Sequence, residues 1–112
     1  MKIIEEKISK QELQQFADEY YITFAKAVVD VENEIIAIGG QMHADGEALL
    51  LNKGSLQKDL WGINIYTNKP KEERIEFDSL INIRPSIKNM SRGVEDPEIR
   101  EKIIGIVNNL IE

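Results

Sequence analysis

The apolar residues change their spacing near residue 24, and that change constrains the fold more than any other feature of the chain. Leu13, Phe16, Ala17, Tyr20 and Phe24 recur at helical intervals, which predicts a helix over about residues 10–22. Ser9-Lys10-Gln11-Glu12 marks its start as a capping box, in which the serine hydroxyl accepts from the Glu12 N–H and the carboxylate reaches back. From Ala25 the period falls to two. Residues 25–31 read as a strand, and residues 34–38 as its hairpin partner across Glu32-Asn33. Isoleucine supplies 18 of the 112 residues, and a β-branched core of this kind favours sheet over a helical bundle.

Further along, Gly39-Gly40 reads as a bulge or bend. Residues 41–52 carry two conflicting signals. Asp45-Gly46 is a hairpin dipeptide, whereas Ala44, Ala48 and Leu51 stand at helical spacing; the strand reading is preferred. Residues 59–67 read as a strand, residues 68–71 as a turn around Pro70, and residues 75–84 as a last strand. Asp96 as cap, Pro97 at the first helical position and Glu98 open a helix over residues 97–111, with Ile99, Ile103, Ile106, Val107 and Leu110 on its buried stripe. The expectation is one α+β domain over residues 1–112. It has an antiparallel meander of four to five strands, on which an N-terminal and a C-terminal helix pack. Phe16, Tyr20, Val29, Ile36, Leu50, Ile63, Ile65, Ile81, Ile83, Ile103 and Val107 are expected in the core.

Composition removes several classes of function. The chain has no cysteine, which excludes disulfide scaffolds, thiolate metal sites and cysteine nucleophiles. Fourteen Lys+Arg against 20 Asp+Glu give a net charge of −6, the wrong sign for broad nucleic-acid binding. No run is long and apolar enough for a membrane span, and the acidic start does not resemble a signal peptide, so a cytoplasmic protein is expected. No phosphate-binding glycine loop and no G-x-S-x-G elbow occurs.

Two constellations remain. Between Ser79 and Gly93 stand Arg84, Lys88 and Arg92 with no acid, and Ser86, Asn89 and Ser91 add donors. Such a segment suits a small anion or an acidic patch on a protein partner, or is an exposed loop whose cations balance nearby acids. The second is His43-x-Asp45-x-Glu47, joined by Asp59. On a strand the first three share a face and suit a divalent metal; in a turn they are solvated charges. The preferred reading is a non-enzymatic binding or regulatory module that uses Arg84, Ser86, Lys88 and Arg92 and needs no cofactor. A homodimer through an open sheet edge is compatible with it. The alternative is a small metal-dependent hydrolase acting on a phosphoester, with Arg84 or Arg92 holding the phosphate.

The segments His43–Leu51, Asp59–Tyr66 and Ser79–Pro85 together resemble a family of small prokaryotic proteins classed as a domain of unknown function. The resemblance spans nearly the whole chain and implies a single-domain cytoplasmic protein. It implies no activity and no role for any residue.

Overall fold

Ser9 caps helix α1 (Lys10–Asp18) in the computed structural model, which describes residues 1–112, and both halves of the capping box are formed. The helix is shorter than its apolar stripe suggests. The N–H groups of Tyr21 and Ile22 both turn back to the Ala17 carbonyl, and Ile22 takes a left-handed φ of 69°. Tyr20 therefore lies beyond the helix, half exposed at 51%, and not in the core.

Five antiparallel strands follow the period-two signal: β1 (Lys2–Ile4), β2 (Phe24–Asp30), β3 (Ile35–Ile38), β4 (Leu60–Tyr66) and β5 (Ile75–Glu76). Their order across the sheet is β1-β3-β2-β4-β5. The α+β class and the antiparallel sheet are as expected, but the order is not that of a simple meander. The reason is the segment expected to be a strand at 41–52, which is a helix, α2 (His43–Lys53). It carries the chain across β2, so that β4 pairs with β2, in register from Phe24↔Tyr66 to Asp30↔Leu60, and not with β3.

Asp45-Gly46 is not a turn. A Cβ at Gly46 would stand 3.0 Å from Val28 Cγ2 and 3.5 Å from the Ala37 Cβ, so this glycine lets the helix press onto the sheet. The sheet is consequently covered on both faces. Ala25, Ala27, Val29, Ile36, Ile38, Trp61, Ile63 and Ile65 pack with α1 and with α3 (Pro97–Leu110) in one cluster, whereas Val28, Ala37 and Leu60 meet Leu50 of α2 in another.

The expected strand over residues 75–84 stops at Glu76. Two short 3₁₀ turns, Leu80–Asn82 and Pro85–Ile87, replace the remainder. The Asn82 side chain takes over the pairing: its Oδ1 accepts from the Gly62 N–H at 2.8 Å and its Nδ2 donates to the Gly62 carbonyl at 2.9 Å. One amide offers the donor and the acceptor that a strand residue would offer, so the β4 edge is satisfied without a strand. Ile81 is accordingly only partly buried and Ile83 is exposed, against the expectation for both. No helix is long and apolar enough to cross a membrane.

Candidate functional site

Helix α2 covers only part of its face of the sheet. Beyond its first turn the same face continues as Lys26 on β2, its cross-strand partner Asn64 on β4, and Glu76 opposite Asn64 on β5. A cleft of about 350 Å³ opens there. Met42, His43 and Ala44 wall it on one side, Ser79, Leu80, Ile81 and Arg92 on another, with Tyr21, Gln41 and Lys26 completing it.

His43 is buried, and its Nε2 lies 2.8 Å from the Ile63 carbonyl oxygen. A carbonyl only accepts, so this nitrogen carries the proton and Nδ1 keeps the lone pair. Burial lowers the imidazole pKa from its ordinary 6.5, against the Ile63 carbonyl, which favours the protonated ring, and with the Lys26 charge, which disfavours it. The ring is therefore neutral at pH 7. Asn64 donates from Nδ2 to Glu76 Oε1 at 2.8 Å, while its buried Oδ1 has no partner in the protein.

Lys26 is the unusual residue. Its stem is half-buried and its Nζ lies 5.2 Å from the Tyr21 ring centroid and 5.8 Å from that of Phe24, two rings stacked on each other at 4.6 Å. The ion pairs of the molecule are Lys53–Glu5, Lys58–Asp59 and Arg92–Asp78; Lys26 is in none of them. Burial lowers its pKa, partly opposed by the negative charges of Asp78 and Glu76, while Arg92 acts in the same direction as burial. Arg92, on the opposite wall, spends only Nε on Asp78, at 2.7 Å. Its terminal nitrogens remain available to a ligand.

Residues 2–110 match the model of a family described as a protein of unknown function, DUF5674. The chain belongs to that family. No curated protein and no solved structure matches it.

In this DUF5674 chain the residues singled out from sequence are dispersed. The Arg84 guanidinium donates to the carbonyls of Gln57 and Leu60 and lies 4.4 Å over the Trp61 ring, so it closes the β4 edge beside Asn82. Ser86 is exposed in a 3₁₀ turn, and Lys88 is exposed at a left-handed φ of 62°. Of the four, Arg92 alone lines the cleft. His43 joins it there, but Asp45 points to solvent, Glu47 is half-buried along α2, and Asp59 is buried beside Lys58. No three His, Asp or Glu side chains converge as a metal ligand set. Lys26 was missed because a single lysine in an alternating strand reads as an outward residue. The signal was its position, a charge between two alanines in the middle of a sheet.

Proposed function

We propose that this chain is a non-enzymatic binding module, cytoplasmic in keeping with its cysteine-free composition, whose cleft takes a small anion with an apolar body. The observation that carries this reading is the half-buried, unpaired ammonium of Lys26. Removing a charge from water is unfavourable unless an opposite charge compensates; Asp78 and Glu76 do so only in part, and no carboxylate of the protein forms an ion pair with Lys26. A carboxylate or phosphate on Lys26 and on the free Arg92 nitrogens supplies that compensation. Met42 and Leu80 are large apolar side chains left 59% and 68% exposed at the rim, and with Tyr21 they suit a ring or a short acyl chain on the ligand.

Titration of the ¹⁵N-labelled protein with benzoate and with inorganic phosphate tests this. Saturable amide shifts centred on Lys26, His43 and Arg92, stronger with benzoate, are expected. Amides that stay unmoved at millimolar concentrations of both would overturn the proposal, as would shifts confined to residues 84–88.

A further inference from the structure

The fold leaves three buried donors without an acceptor, the Trp61 indole N–H and the Nε–H groups of Arg74 and Arg84. Trp61 is 2% exposed, and its indole Nε1–H makes no hydrogen bond within the protein. Buried N–H groups are almost always paired, so an orphan needs a physical explanation. Trp61 lines a recess of about 290 Å³, away from the first cleft, between the Gln57–Asp59 turn, residues 87–89 and the start of α3.

The polar groups around this recess are unevenly committed. Asp59 faces Lys58 at 3.3 Å, Glu95 accepts from the N–H groups of Met90 and Ser91, and Asp96 accepts from the Glu98 N–H at 2.9 Å. The Asn89 amide donates to three carbonyls, those of Asn82, Ser91 and Gly93, and accepts from the Glu95 N–H. Each of the acids thus has at least one partner within the fold, and the Asn89 amide is fully used. Without a partner remain the enclosed indole N–H and the ammonium of Lys88, which is in no ion pair. On the far side the Arg84 guanidinium over the indole adds positive charge. Ile87 and Ile99 supply apolar wall.

We infer that this recess is a second ligand site, for a short aliphatic carboxylate: one oxygen takes the Trp61 Nε1–H, the other faces Lys88, and the chain lies against Ile87 and Ile99. A neutral carbonyl satisfies the indole alone, and inorganic phosphate leaves the apolar wall unused. The site needs neither Lys26 nor Arg92, so it stands or falls independently of the first cleft.

Trp61 is the sole tryptophan of the chain, so a single indole N–H resonance reports on the recess. Titration with butyrate should move that resonance downfield to saturation, and butyramide should move it less. Lys88→Gln removes an exposed charge with no partner in the fold and should raise the butyrate midpoint about fivefold, as an exposed ion pair would supply. Lys26→Met should leave that midpoint unchanged. An indole resonance that does not move overturns the inference. So does one that chloride moves equally, which marks an adventitious ion only, or a midpoint that Lys88→Gln leaves in place.

Discussion

The Nε2 of His43 lies 2.8 Å from the carbonyl oxygen of Ile63, and this contact ties the first turn of α2 to the centre of β4. It also makes the fold sensitive to mild acid. Burial lowers the pKa of His43 below its ordinary 6.5, so below that value the unfolded chain binds a proton that the folded chain resists. Stability should be full above pH 6.5 and decline as the pH falls towards the folded pKa. Urea midpoints at pH 7.5 and pH 5.5 check this: the native chain should lose stability between them, and His43→Gln should lose clearly less.

Asp30 acts in a lower window. Its fully buried carboxylate accepts from Ser55 Oγ at 2.6 Å, from Asn33 Nδ2 at 2.8 Å, and from the backbone N–H groups of Glu32 and Asn33 at 3.0 Å. Burial pushes its pKa up, but the hydrogen bonds from Ser55, Asn33 and Glu32 outweigh that and hold it below the ordinary 3.8. Its contribution is therefore present above pH 3.8 and is lost as the pH drops through the folded value. Asp30→Ala should destabilise by about 2–4 kcal/mol at pH 7 by leaving the turn and Ser55 unpaired. The difference from the native chain should shrink in acid.

Gly62 meets the loop that closes the β4 edge. A Cβ there would stand 2.5 Å from Ser79 Oγ and 2.6 Å from Ser79 Cβ. Gly62→Ala should cost about 1–3 kcal/mol, the range for overpacking a tight site. Adding Ser79→Gly should restore part of the loss. Equal denaturant midpoints for the single and double variants would show that the contact is not the cause.

Arg84 separates structure from binding. Because its guanidinium serves the carbonyls of Gln57 and Leu60, Arg84→Met should lower stability by about 1–3 kcal/mol. Benzoate affinity, measured under conditions where the variant is folded, should stay at the native value.

Much of this fold can be read from residue spacing, and the exceptions have physical causes. The capping box at Ser9 and the Asp96-Pro97 start of α3 are local devices, so they form as the sequence implies. The uninterrupted apolar runs Ala27-Val28-Val29 and Ile35-Ile36-Ala37-Ile38 held more information than their alternation. A sheet covered on both faces needs such runs, and they call for a helix on each side. Two helices accounted for one face; the third had to be α2. Its Asp45-Gly46 pair imitates a turn because the close approach to Val28 and the φ of a hairpin select the same residue. The run Leu80-Ile81-Asn82-Ile83 imitates a strand for a similar reason, since Asn82 does with a side chain what a strand does with its backbone. The cleft was only half legible. Arg92 and His43 are conspicuous as residues, but Lys26 acquires its meaning from the uncovered end of the α2 face, which exists only in three dimensions.

Lys26→Met is the measurement that bears most directly on the binding role. The substitution keeps an unbranched apolar stem over Tyr21 and Phe24 and removes the unpaired ammonium, so the variant should melt at or above the native temperature. Calorimetric titration with benzoate should show saturable binding to the native chain and about tenfold or weaker binding to Lys26→Met, the loss expected for a charge-assisted contact. Equal affinity in the two proteins, or a variant that melts well below the native chain, would contradict the assignment of Lys26 as the anion's partner.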